Sequence, residues 1–142
     1  MHFSEAHGRK VVSTTSAETV GVIKSFVIDP SSQRIVALSL NKTPGEGTML
    51  PWADITAFGA DAVTVPDGER IISPDEQLAD LDGKHRTIVG KRVLDTSGRQ
   101  LGHVREVDFD PTSGHIDSLL LEEATVDGAT LRGIGSYAVV VA

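Results

Sequence analysis

One motif runs through this chain twice, and a chain that repeats itself is constrained to fold the same way twice. Residues 20–40 read VGVIKSFVIDPSSQRIVALSL and residues 101–121 read LGHVREVDFDPTSGHIDSLLL, at a constant offset of 81 positions. Seven of the 21 aligned pairs are identical, where ordinary composition gives roughly one or two by chance. They are Gly21/Gly102, Asp29/Asp110, Pro30/Pro111, Ser32/Ser113, Ile35/Ile116, Leu38/Leu119 and Leu40/Leu121. The chain is a tandem duplication of two very small units. A unit of about 60 residues buries only about 60% of its chain surface, so the copies are expected to pack on one another or on a second subunit. A duplicated scaffold without a chemical motif at equivalent positions points to binding before catalysis.

Each copy reads as a meander of short antiparallel strands. In the second, a strand from Leu101 to Phe109 meets a turn at Asp110–Gly114, and another strand covers His115 to Glu122. Pro111 presets the backbone for a turn, Asp110 accepts a local hydrogen bond and Gly114 supplies a positive φ. Gln33 stands where Gly114 stands, which predicts local strain or a changed loop. The apolar positions Ile23, Phe26 and Ile28 match Val104, Val107 and Phe109, and Ile35, Leu38 and Leu40 match Ile116, Leu119 and Leu121. Both sets step by three and then two. Side chains alternate at every residue, so the odd step predicts a β-bulge or sharp bend in each strand, and bending of that kind closes a small barrel; one partly exposed position in each strand is the alternative reading of the same step. Gly21 and Gly102 fall at the same corner.

Between the copies the sequence turns polar. Residues 1–66 are predicted as the first barrel, 67–87 as a linker and 88–142 as the second barrel. The linker carries one helix start, with Ser73 as N-cap, Pro74 at the first helical position and Glu76 completing a capping box, and Gly83 as its stop. The amino-terminal MHFSEAHGRK segment is expected to be loose.

Composition removes several function classes. There is no cysteine, so neither disulfide nor thiolate chemistry is available and a reducing, cytoplasmic setting is expected. The formal charge of −7 disfavours nucleic acid, because phosphate binding needs a basic face. The longest apolar run, residues 137–142, is far shorter than the ~18 residues of a spanning helix, so no membrane insertion is expected.

Candidate chemistry is sparse. Five histidines, His2, His7, His85, His103 and His115, fall in no helical metal-binding spacing, and no metal site or cofactor is assigned. No nucleophile elbow or phosphate loop is present. Acidic residues gather in the second copy at Glu106, Asp108, Asp110, Asp117, Glu122 and Glu123. Asp108 beside Asp117 is the pair that could serve as acid and base or hold a divalent cation, with His115 nearby. A solvated, aggregation-resistant sheet face accounts for the same residues. Their first-copy counterparts are Val27 and Val36, so an apolar face stands where the second copy is acidic. Val27 and Val36 are therefore candidates for burial against the other barrel or a partner, and Trp52, the sole tryptophan, is either an interface anchor or a core residue.

The Gly90–Gly98 segment GKRVLDTSG, the Leu101-Gly102 pair, the Asp-Pro-x-Ser-Gly turn, the Ile116–Leu121 strand and the Pro51–Ile55 segment PWADI together resemble the PRC-barrel family. That family includes the cytoplasmic part of the photosynthetic reaction-centre H subunit and a ribosome-maturation factor. The resemblance covers roughly residues 8–65 and 89–141, and departs at Gln33, at one extra residue between Gly8 and Gly21, and in a second copy without Pro-Trp. It implies a fold and a general adaptor role.

The sequence thus predicts a mainly β protein: two tandem small antiparallel PRC-like barrels with one short linker helix, working as a non-catalytic interaction or assembly module. Val27, Val36, Trp52, Asp108 and Asp117 are its candidate partner-binding residues. The partner is an unidentified protein, and a homodimer stays open. The rival readings are a metal-dependent enzyme on the acidic face and a ribosome-maturation-like accessory factor.

Overall fold

The computed structural model describes residues 1–82 and 87–142; the helix stop expected at Gly83 and the histidine at His85 lie outside the described residues. Short runs of alternating burial build strands throughout. In the first half these are β1 (Lys10–Ser13), β2 (Thr19–Asp29), β3 (Arg34–Asn41), β4 (Met49–Pro51), β5 (Ala57–Phe58) and β6 (Ala62–Val65), joined in one curled sheet in the order β4-β3-β2-β1-β6-β5. The second half supplies β7 (Arg92–Asp95), β8 (Gln100–His103), β9 (Glu106–Phe109), β10 (Ile116–Leu120), β11 (Thr125–Asp127), β12 (Leu131–Ile134) and β13 (Val139–Val141). It keeps the same neighbour order but divides it into β11-β10-β9 and β12-β13-β7-β8. Pairing is antiparallel except for β1 with β6 and β7 with β13, which run parallel. The recurrence of that one parallel pair extends the duplication well past the 21-residue motif.

The predicted bulges are present. Along β2 the register passes from Ile23↔Leu40 to Ser25↔Ser39, leaving Lys24 unpaired in the ladder, and then from Val27↔Ala37 to Ile28↔Ile35, leaving Val36 extra on β3. In the second half the long strand breaks between β8 and β9, and β10 bulges at Asp117, between Ile116↔Phe109 and Ser118↔Asp108. Val36 and Asp117 are thus the same bulge residue in the two copies, and the odd step of three is its trace in the sequence.

The two Asp-Pro turns meet each other across the middle of the molecule. The Ile35 amide donates to the Gly114 carbonyl at 2.8 Å and the Ile116 amide to the Gln33 carbonyl at 2.9 Å. These residues correspond at the offset of 81, so the halves face one another about a pseudo-twofold axis passing between Arg34 and His115, which form a bridge. The flanking residues break the symmetry in a reciprocal way. Trp52, opening the 3-10 turn Trp52–Asp54, lies against Gly114, where a Cβ would stand 3.0 Å from its ring. The matching turn Gly128–Thr130 opens with glycine, because a Cβ on Gly128 would come within 1.9 Å of the Ile116 carbonyl oxygen. Opposite it stands the larger Gln33, whose side-chain amide donates to the Leu131 carbonyl at 3.0 Å. Gln33 keeps the left-handed backbone of Gly114, with φ of 53° against 81°. That conformation costs a non-glycine residue roughly 1–2 kcal/mol, which a hydrogen bond worth about 0.5–1.5 kcal/mol largely offsets.

Aromatic side chains complete the seam. Phe109, from the second half, is fully buried among four aromatics of the first: its ring centroid lies 5.6 Å from Phe3, 5.8 Å from Phe26, 5.5 Å from Phe58 and 6.5 Å from Trp52. One buried apolar cluster runs continuously from Phe3 through Val65 to Val141. The amino terminus is consequently ordered, contrary to the sequence expectation of a loose end. Helix α1 (Phe3–Ala6) buries Phe3 and Ala6, and its Ser4 hydroxyl and amide both donate to Glu106 on β9. A second correction concerns the linker helix α2 (Glu76–Leu81). Its N-cap is Asp75, whose carboxylate accepts from the Leu78 amide at 2.8 Å, and Ser73 and Pro74 precede it. An ionised acceptor at a helix start outcompetes the hydroxyl two residues earlier.

A shared core predicts shared unfolding. Phe109→Ala is expected to destabilise the whole chain by about 3–5 kcal/mol, with Trp52 fluorescence and far-ultraviolet circular dichroism giving one coincident midpoint in denaturant. Two separate transitions would show that the halves are independent.

Candidate interaction surface

The apolar residues singled out in the first half are inside. Val27 is fully buried with Ala37 and Met49, Val36 is half-buried beside them, and Leu78 and Leu81 of α2 pack on this cluster. Leu78 and Leu81 sit three apart and so share a helix face, and the chain's own linker covers the face that Val27 and Val36 present. Trp52 is 8% exposed and belongs to the seam.

The acidic residues of the second half are largely engaged by the chain itself. Asp108 faces Ser118 across the ladder, while Asp117 occupies the bulge, so the expected pairing of the two carboxylates across β9 and β10 is not formed. The Asp108 carboxylate accepts from the Met1 ammonium at 2.9 Å. Glu106 accepts from Ser4 and from its neighbour's amide, Val107. Asp110 is held below the usual carboxylate range, first by the Thr112 amide, which donates at 2.8 Å within the turn. Asp117 and Glu123 are exposed. His115 takes part in the seam bridge and His103 pairs with Glu122. Among the described residues no group of three His, Asp or Glu side chains is close enough to hold a metal ion.

What the fold does bring together is a surface that no motif announces. Two hollows open side by side and share Thr87 and Val89. The larger, about 550 Å³, has Phe3, Phe26 and Ile88 in its wall, with Leu81, Lys24 and Arg105 at its rim. Asp82 also lines it, its carboxyl pushed up by burial and drawn back by Lys24. The smaller, about 460 Å³, is lined by Val89, Lys91, Arg92, His103, Ser136 and Tyr137 among others. The Arg92 guanidinium lies 4.3 Å from the centre of the Tyr137 ring and donates to its hydroxyl at 3.0 Å. Lys91 donates to the Gly135 carbonyl at 2.6 Å. Tyr137 is 65% exposed and Val89 44%. These residues come from five separate stretches of chain, which is why spacing did not find them. An exposed tyrosine in a Gly-Ser-Tyr loop was the available signal.

Beside this surface Glu122 closes a gap in the sheet. Where Val22 pairs with Asn41 through the main chain in the first half, the corresponding His103 amide donates to the Glu122 carboxylate at 2.6 Å, and its ring lies 3.2 Å from the other oxygen. The amide of His103 is the largest influence, with help from the His103 ring and Arg105, and the Glu122 carboxyl is pulled down from 4.5 to about 2. A depressed folded value means stability that is complete above pH 4.5 and lost as pH falls toward 2. Glu122→Gln is therefore expected to lower the melting temperature at pH 7 and to flatten its decline between pH 5 and 2. Parallel acid titrations followed by circular dichroism check this, and equal slopes for the two proteins would refute it.

The PRC-barrel domain model matches the chain over residues 1–71 and again over residues 84–139. No curated protein matches it. Among the described residues no helix is long and apolar enough to cross a membrane. With matches spanning both copies and a mainly β fold of two curled, duplicated units, the chain belongs to the PRC-barrel family, as a tandem of two such domains.

Proposed function

We propose that this protein is a non-catalytic interaction module that docks a protein partner on the surface around Val89 and Tyr137. The observation that carries this reading is the exposure of those two side chains, Val89 lining both hollows and Tyr137 the smaller one. The seam already completes the core of both halves, so folding does not require Tyr137 or Val89 to be apolar. Tyrosine and arginine side by side are the residue types enriched at interface centres. A concave wall of phenylalanine and isoleucine supplies the apolar burial that association needs. The carboxylates of the acidic face are mostly matched within the chain, which weakens the alternative of a basic partner drawn there. The cysteine-free composition fits a reducing cytoplasmic setting.

Affinity capture from native lysate with mass spectrometry tests the reading, comparing wild type with a Val89→Asp, Tyr137→Ser double variant. Both positions are exposed, so stability should change by about 0.5 kcal/mol at Val89 and, with the Arg92 stacking lost, by about 0.5–1 kcal/mol at Tyr137, which thermal melting verifies. A partner enriched by wild type and lost in the variant is the expected result. Equal capture by both proteins, or none by either, sinks it.

A further inference from the structure

The geometry points to an acidic peptide segment as the occupant of this surface, an inference that rests on the docking role just proposed and names the chemistry of the partner. The two halves differ at one corner. Gly59 donates its amide to Ala62 in the loop between β5 and β6, and Gly135 donates to Ala138 in the loop between β12 and β13. The loops are equivalent, so Tyr137 stands where Asp61 stands. The cation beneath them is also duplicated: Arg9 donates to the Gly59 carbonyl at 2.8 Å as Lys91 does to the Gly135 carbonyl. Lys91 thus fills a structural role common to both copies. What distinguishes the second half is the replacement of a carboxylate by Tyr137, with Arg92 laid on its ring and His103 in place of Val22.

That change removes the carboxylate from a corner whose cations are duplicated, Lys10 pairing with Val22 as Arg92 does with His103. Lys91, Arg92 and His103 line the smaller hollow, and its described lining includes no carboxylate, in a chain whose formal charge is −7. Glu122 is taken up by His103 at 3.2 Å and Arg105 at 3.7 Å, so Arg92 is the cation that the hollow offers to a ligand. A guanidinium carries five donors in a planar fork suited to a carboxylate, and the Tyr137 hydroxyl takes one while its ring fixes the plane. Next door, Phe26, Ile88 and Val89 wall a hollow of about 550 Å³ whose charged lining is mixed, Lys24 and Arg105 with Asp82 and Glu106, so the apolar anchor and not the carboxylate belongs there. A segment with a carboxylate over Arg92 and an apolar anchor beside Val89 satisfies both.

A second copy of this chain fits less well, since a twofold contact would place the same cationic patch on both sides. An anionic lipid surface calls for a protruding apolar element, whereas Phe26 and Ile88 lie in a recess.

The test uses the full-length protein and a pool of twelve-residue fluorescent peptides, each with four Asp or Glu and one Phe, Leu or Trp at varied spacing. A matched pool carries Lys and Arg in place of the acids, and vesicles containing phosphatidylserine form a third arm. Fluorescence anisotropy should find acidic peptides bound at least tenfold more tightly than any charge-reversed one, weakening severalfold from 50 to 300 mM salt. Arg92→Glu and, separately, Tyr137→Asp, which restores the first-half residue, should each reduce that affinity tenfold or more while the protein keeps a single cooperative melting transition. Arg92→Gln, a milder change, should give an intermediate loss. The proposal is overturned by indifference between the two pools, by acidic binding that survives Arg92→Glu, by vesicle binding in preference to peptide, or by Arg92-dependent self-association in sedimentation. A lysate partner lost on Val89→Asp together with indifferent pools would overturn the acidic occupant and leave the docking role standing.

Discussion

The burial of Phe109 is the contact on which the rest of this structure depends. An aromatic side chain removes roughly 150–250 Å² from water, which at about 25 cal/mol per Å² is worth on the order of 4–6 kcal/mol. Small domains have a net stability of only about 5–15 kcal/mol. One side chain placed at the centre of four aromatics from the other half therefore accounts for a stabilisation comparable to the margin of the whole fold. Its first-half counterpart is Ile28, which is buried but aliphatic. The seam is therefore not a symmetric contact between identical copies. The reciprocal pair of amide bonds at the turns sets the orientation, and the asymmetric aromatic cluster holds it.

Duplication within one chain made that asymmetry possible. In a twofold assembly of identical subunits every contact residue must suit both sides of the axis. Once the two copies are encoded separately, a bulky residue on one side can be matched by glycine on the other. Trp52 over Gly114, and Gln33 across from the turn that opens with Gly128, are that division of volume. The same freedom let the long strand of the first half break into β8 and β9 in the second, with the Glu122 carboxylate standing in for a ladder bond at His103.

Much of the architecture was legible because it is local. The turns follow from Asp-Pro, and the bulges at Val36 and Asp117 follow from a step of three in an otherwise alternating pattern. Contacts between elements were less accessible. The coverage of Val27 by α2 depends on Leu78 and Leu81 within a strongly charged linker, where two leucines do not make a conspicuous stripe. Helix α1 has only four residues, too short for an apolar period to show. The corner holding Tyr137 escaped alignment for a different reason: the offset between copies drops from 81 in the motif to 76 at Trp52 and Gly128, because the loop after β3 is longer than the loop after β10. Asp61 and Tyr137 fall on equivalent positions only after that gap is introduced by the fold.

Departures between the copies sort by whether the chain itself answers them. Gln33 against Gly114 and Trp52 against Gly128 are answered across the seam, and Val27 against Asp108 is answered by α2 on one side and by the Met1 ammonium on the other. Each of these mismatches compensates another part of the same molecule. Tyr137 against Asp61 differs. The exchange exposes an aromatic ring, 65% accessible, and orients an arginine over it, without closing any core or capping any strand. Apolar surface left open in this way, beside a recess walled by Phe26 and Ile88, contributes nothing to folding that a polar residue would not. Its physical effect falls on the exposed surface, and the docking role proposed for that surface is the reading that accounts for it.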